Sequence, residues 1–249
     1  MHPYDIGALN HRWLNRSQRR DYIFKDDPKS PVVNRFNWIE GALLGDIQTF
    51  VDGIQDLVAK KRMPTSTEPR GSGNVSLPIL VNTGLELVSA MHAGATKYRG
   101  RGYSADENVA SFVKAYFPGN SKLIARIMWD STRNGLTHLF SPKVMRRRND
   151  YILFTFYVQD SRIKSKVVKD GKTIVVWFNS IEYYHVLKKA VADYKAALLT
   201  DRQLQIKFIR AWKSIERHVK NLDQDQMKKP EADFLRKTLR TSNEIELFQ

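Results

Sequence analysis

The run Trp129-Asp130-Ser131-Thr132-Arg133-Asn134-Gly135-Leu136-Thr137-His138-Leu139-Phe140-Ser141-Pro142-Lys143 places a guanidinium, an adjacent carboxamide and an imidazole close together in the chain. These are the groups that metal-free scission of RNA needs. A ribose 2′-hydroxyl attacks the neighbouring phosphorus, and a neutral imidazole with an ordinary pKa of about 6.5 takes or returns the proton, a role that fits His138. Negative charge builds on the phosphoryl oxygens, and the forked donors of Arg133 match it. Asn134 can orient His138 or hold the local backbone. Dependence on the 2′-hydroxyl would restrict such chemistry to RNA. On an ideal helix Asn134 and His138, four residues apart, share a face, whereas Arg133 lies roughly 140° around from His138. The length of the arginine and a relaxed helix end near Gly135 can narrow that gap. The same residues also have a purely structural reading, in which Arg133 and His138 cap orphan carbonyls at a helix C-terminus and complement its dipole.

The surroundings of this segment are basic. Between residues 121 and 150, Lys122, Arg126, Arg133, Lys143, Arg146, Arg147 and Arg148 outweigh Asp130 and Asp150, a local net charge of +5 within a total of +15. Phosphate neutralisation dominates affinity for nucleic acid, so Lys143 and Arg146 to Arg148 are candidate phosphate contacts. Lys97, Arg99 and Arg101, interleaved with Tyr98 and Tyr103, form a second candidate patch combining backbone contact with stacking. The alternative for each lysine or arginine is a solvated face that keeps the protein soluble.

Other chemistries are excluded by what the sequence lacks. There is no cysteine, so disulfides, thiolate nucleophiles, iron–sulfur clusters and cysteine-based zinc sites all fall away. No GxxxxGK[ST], GxGxxG, HExxH or GxSxG pattern occurs, which removes nucleotide-binding, zincin and nucleophile-elbow readings. His2, His11, His92, His138, His185 and His218 show no ligand spacing, so no metal and no cofactor is expected. No apolar run is long enough to span a bilayer and Met1 to Asn10 lacks a secretory core; a cytoplasmic protein without a membrane partner is expected. With 42% apolar and 27% charged residues over 249 positions, the composition is that of a folded globular chain.

The elements that would position the segment are mainly helical. Residues 1–35 read as a basic arm carrying Arg12, Arg16, Arg19 and Arg20, with Pro28 and Pro31 near its end. From Phe36 to Met63, Ile39, Leu43, Ile47, Phe50, Ile54 and Leu57 recur in steps of three or four, which predicts a long amphipathic helix. Pro64 to Val75 reads as a loop, and a second helix runs from near Ser76 through Leu80, Leu85, Val88 and Met91 to a glycine cap at Gly94. A short helix from Ala105 to Tyr116 ends at Pro118-Gly119, and a helix from Ser121 to Phe140 carries the Arg133–His138 run on a core face of Leu123, Ile124, Ile127 and Met128. Tyr151 to Val158 and Thr173 to Phe178 read as strands of a small antiparallel sheet with a hairpin at Asp170-Gly171. Ile181 to Leu199 and Leu204 to Leu222 are helical again. Trp38, Trp129 and Trp212 fall at core positions, and Tyr183, Tyr184 and His185 are expected to pack against the hairpin.

The Arg133-Asn134-x3-His138 pattern resembles the Arg-x4-6-His motif of the HEPN superfamily, in which a polar residue often follows the arginine. The order long helix, loop, second helix, short helix, motif helix over residues 36–145 resembles that family too. The resemblance implies a helical bundle that dimerises to bring two motifs into one cleft, with Arg133, Asn134 and His138 as catalytic residues. It implies a metal-independent RNase acting as a toxin or antiviral defence effector, with an antitoxin or defence-complex protein as a further partner. Non-catalytic members of the family imply the alternative of a nucleic-acid-binding or assembly module. The expected organisation is thus a basic arm over 1–35, a HEPN-like helical domain over 36–145, and the β-hairpin with C-terminal helices over 146–249.

Overall fold

A proline opens the first helix. Pro31 lacks the N–H that a first helical residue cannot use and has φ preset for the helix, so the chain becomes helical there, five residues ahead of the apolar pattern. In the computed structural model, which describes residues 31–60, 75–96, 104–119, 122, 125–132, 145–147, 150–157, 164–171 and 173–222, this helix continues without a break through three segments. They are α1 (Pro31–Trp38), a π-helical turn (Ile39–Leu44) and α2 (Gly45–Ala59). The Gly45 N–H donates to the Glu40 carbonyl, five residues back, so the π turn inserts one extra residue into the helical register. The buried stripe consequently runs Phe36, Ile39, Leu44, Ile47, Val51, Ile54. Leu43 and Phe50, expected in the core, are only half-buried, and Leu57 is exposed.

Helix α3 (Ser76–Ala93) buries Leu77, Val81, Leu85, Val88 and Met91 and ends at Gly94, whose φ of +69° is the left-handed cap. Leu80 falls on its exposed side. The shorter α4 (Ala105–Tyr116) starts at Ser104, whose hydroxyl accepts from the Glu107 N–H at 3.3 Å, with Asp106 and Glu107 in the positive first turn. Residues 125–132 are helical, and Ala125, Met128 and Trp129 are buried while Arg126 and Asp130 face out.

Four strands then form one sheet in the order β1-β2-β4-β3: β1 (Met145–Arg147), β2 (Asp150–Tyr157), β3 (Lys166–Asp170) and β4 (Thr173–Asn179). The hairpin at 170–171 is present: Asp170 pairs with Thr173, and Gly171 takes φ +57°, as a two-residue primed turn requires. The sheet is not purely antiparallel. β4 inserts beside β2 in parallel register, Tyr151 opposite Thr173 through Tyr157 opposite Asn179, with β3 on the far edge. Nothing in strand composition distinguishes the two pairings; the difference lies in which edge the hairpin docks against. Phe154, Val176 and Phe178 fill the inner face.

Asn179 ends β4 and caps α5 (Ser180–Thr200) in the same step, its carboxamide oxygen accepting from the Ile181 and Glu182 N–H groups at 2.9 and 3.3 Å. Asp201 does the same for α6 (Arg202–Leu222), accepting from the Gln203 and Leu204 N–H groups at 2.7 and 3.2 Å. Tyr183 packs on Phe178, with ring centroids 5.2 Å apart. Tyr184 turns instead to the first helix: its hydroxyl donates to Gln48 Oε1 at 2.9 Å, and burial next to Asp52 pushes the phenol up to about 12. His185 is exposed. Phe36, Tyr194, Phe208 and Trp212 join α1, α5 and α6 in one aromatic cluster, and Trp38 meets Trp212 edge-on at 5.8 Å. The chain divides into two compact units, residues 1–212 and 213–249, with the boundary inside α6. The described part of the second is the last turns of that helix, Lys213 to Leu222. The chain is therefore mainly α with a small mixed sheet.

Candidate functional site

The described part of the motif helix ends at Thr132, one residue before Arg133, and its last turn is tied to the core by polar contacts. Trp129 is buried and donates its indole N–H to Asp106 Oδ1 at 2.8 Å, joining this helix to the first turn of α4. Thr132 is wholly buried, and its hydroxyl donates to the Met128 carbonyl at 2.6 Å. The same oxygen accepts a short hydrogen bond from the Asn82 carboxamide of α3. Asn82 Oδ1 in turn accepts from the Tyr183 hydroxyl of α5 at 3.0 Å. Burial raises the Tyr183 phenol above its usual range, so it stays protonated and donates at the head of this chain. The relay Tyr183–Asn82–Thr132–Met128 is fully directional, with every bond's donor and acceptor fixed, and its three side chains are at most 4% exposed.

Beside this relay lies a pocket of about 100 Å³ lined by Phe117, Ala125, Ser165, Phe178, Glu182, Tyr183 and Val186. Its polar corner is built at the β4–α5 junction. Glu182 Oε2 accepts from the Ser165 N–H at 2.7 Å, Glu182 Oε1 pairs with the exposed Lys164 at 3.3 Å, and the Ser165 hydroxyl accepts from the Asn179 N–H at 3.0 Å. Tyr183 is common to pocket and relay, so the pocket wall and the turn preceding Arg133 belong to one packed unit.

Arg133, Asn134 and His138 lie outside the described residues, as do Lys97, Arg99, Arg101, Lys143 and Arg148. Arg146 and Arg147 are on β1, at the register positions opposite Tyr151 and Asp150. His92 on α3 sits in an aromatic cage, 5.8, 5.5 and 5.6 Å from the rings of Phe112, Tyr116 and Tyr194, with its Nδ1 buried and unpartnered. Burial first, and the Lys207 ammonium second, hold its imidazole below the usual range. Among the described residues, no group of three or more His, Asp or Glu side chains is placed to hold a metal ion, and no helix is long and apolar enough to cross a membrane.

Sequence reasoning passed over Asn82, Thr132 and Asp106. The signal for Asn82 was there: a carboxamide at the core spacing of Leu77, Val81, Leu85 and Val88 has to find buried partners. Thr132 and Asp106 carried no comparable mark. Compared with protein-family models, with curated proteins and with solved structures, the chain matches none.

Proposed function

We propose that this chain is a metal-independent endoribonuclease of HEPN type, with Arg133, Asn134 and His138 as its catalytic residues. The observation that carries the reading is the Arg133-Asn134-x3-His138 run placed directly after Thr132, a residue anchored by the buried relay to α3 and α5. Catalytic groups work when the elements beneath them are rigid, and that relay supplies rigidity where the motif begins. The basic residues around the motif add the charge that a phosphate backbone requires.

In the proposed reaction the 2′-oxygen attacks phosphorus and its proton leaves to a base; the P–O5′ bond breaks and the 5′-oxygen gains a proton. His138 exchanges these protons and Arg133 neutralises the charge on the non-bridging oxygens. The products are a 2′,3′-cyclic phosphate and a 5′-hydroxyl. Two copies pairing through the helical region would bring two such motifs to one cleft, and cytoplasmic RNA would be the substrate of a toxin or antiviral defence effector held in check by a partner protein. Purified protein incubated with total RNA and EDTA is expected to yield those ends, and His138→Ala or Arg133→Ala to yield none while remaining folded. Cleavage surviving both substitutions rejects the assignment.

The two arginines of β1 favour a second reading, nucleic-acid binding without turnover, in which Arg133 and His138 serve as helix caps. It predicts salt-dependent binding and intact RNA after prolonged incubation.

A further inference from the structure

The pocket beside the relay plays no part in the chemistry assigned to Arg133 and His138, and its polar corner has hydrogen-bonding capacity left over. Asn179 caps α5 and Glu182 follows three residues later, the spacing at which a glutamate ordinarily turns back to the N–H of the cap. Here the Ser165 hydroxyl takes that N–H at 3.0 Å, and the Glu182 carboxylate accepts from the Ser165 N–H at 2.7 Å instead. Its other oxygen meets Lys164, whose side chain is 75% exposed, at 3.3 Å. A carboxylate accepts at about four positions, and these contacts occupy two. The Ser165 hydroxyl donates to no group among the described residues. The corner thus offers two acceptor positions and one donor, on side chains that the fold half-buries.

The walls narrow what can answer them. Phe117 and Phe178, each 2% exposed, and Tyr183 line the pocket with rings, Phe178 and Tyr183 meeting edge to face with centroids 5.2 Å apart. Such walls suit a flat ring, and about 100 Å³ has room for the edge of one ring system but not for a whole nucleotide. A ring that brings two neighbouring N–H donors to the carboxylate and a carbonyl to the hydroxyl satisfies the whole corner. Among the four RNA bases guanine alone has that edge, with N1–H and N2–H side by side and O6 next to them. Adenine and cytosine set an amino group beside an acceptor, which would face the carboxylate lone pairs, and uracil has one imide N–H between two carbonyls.

We propose that this pocket is a guanine-binding site, in which Glu182 accepts from N1–H and N2–H, the Ser165 hydroxyl donates to O6, and Phe117, Phe178 and Tyr183 enclose the ring. The proposal rests on the RNA reading above for the strand that carries the base, and it adds a sequence preference to that reading. Tyr183 belongs to both the pocket wall and the relay that ends at Thr132, so a guanine held here is coupled to the turn before Arg133, and cuts should fall near guanines.

The test uses the full chain with His138→Ala, so that bound RNA stays intact, and fluorescence anisotropy of labelled oligouridylates holding one central guanosine, inosine or adenosine. Inosine lacks only the 2-amino group. The guanosine oligonucleotide should bind about ten-fold more tightly than the other two. Glu182→Gln should bring guanosine level with inosine and leave the adenosine oligonucleotide unchanged, a selective loss that damaged packing does not produce. Val186→Phe, one helical turn further on, fills the pocket with the carboxylate intact and should also abolish the preference. Guanosine 5′-monophosphate as competitor separates two sources of the base: displacement at the affinity of the oligonucleotide marks a free nucleotide as the ligand, and far weaker displacement marks a base within a strand. Equal binding of the three oligonucleotides, or a guanosine preference that survives both substitutions, overturns the site. If the preference depends on Glu182 yet the wild-type chain leaves RNA uncut, the pocket stands and the cleavage reading falls. Cleavage by a chain indifferent to guanosine has the opposite meaning, and binding of neither RNA nor the monophosphate, with RNA left uncut, removes both.

Discussion

His92 is the residue whose surroundings make the clearest demand on pH. Its Nδ1 is buried without a partner inside the cage of Phe112, Tyr116 and Tyr194, and burial together with Lys207 lowers its pKa from 6.5. The folded state therefore binds fewer protons than the unfolded state just below that value. The His92 contribution to stability is complete above pH 6.5 and is lost as the pH falls from there through the lower folded-state value. Thermal melts of the wild type should show a falling midpoint on acidification through that window. His92→Phe, which keeps the ring contacts without the proton, should flatten that part of the profile; an unaltered profile would show that the acid sensitivity arises elsewhere. The relay makes a second demand at this scale. Asn82→Ala strands the Tyr183 hydroxyl and removes a donor from Thr132, so it should cost about 2–4 kcal/mol in denaturant melts. On the proposed reading it should also slow RNA cleavage through the misplaced turn ahead of Arg133. His92 carried no mark of its role in the sequence, and Asn82 only its place at a core spacing. A polar residue at an apolar spacing shows that a buried partner exists, but not that one partner lies 50 and the other 101 residues further along the chain.

Elements were more legible than the contacts between them. The glycine cap at Gly94 and the turn at Asp170-Gly171 each follow from one local rule, and both are present. The π turn at Ile39–Leu44 was not legible, because Leu43 and Leu44 are both leucine and only tertiary packing decides which one turns inward. The parallel pairing of β2 with β4 was hidden for the same reason: strand pattern reports faces, not neighbours. Gly94 offers the sharpest test at this level. A Cβ there would meet the Arg210 guanidinium at 2.8 Å and the Lys207 backbone at 3.0 Å, in a left-handed conformation, where α6 crosses the end of α3. Arg210 also donates to the Gly94 carbonyl at 3.0 Å, so little room remains to retreat. Gly94→Ala is expected to cost about 2 kcal/mol in chemical denaturation, part from backbone strain and part from the displaced helix. A neutral substitution would mean that this crossing is not close-packed.

For the molecule as a whole, the excess of Lys and Arg is the property that the sequence states most openly and that the fold puts in context. Arg146 and Arg147 come to lie on an edge strand, at the register positions opposite Tyr151 and Asp150, which composition alone did not show. Replacing Arg146, Arg147 and Arg148 by glutamine should lower the slope of log affinity against log salt by up to about 2 for single-stranded RNA. An unchanged slope would remove that run from the interface. The mainly helical class was readable from periodicity, while the relay that anchors Thr132 emerged only from the three-dimensional structure. The most direct test of the central claim is end-group analysis of total RNA treated with wild-type protein and with His138→Ala, both in EDTA. The account predicts 2′,3′-cyclic phosphate and 5′-hydroxyl ends from the wild type alone; intact RNA from both, or the same fragments from both, would contradict it.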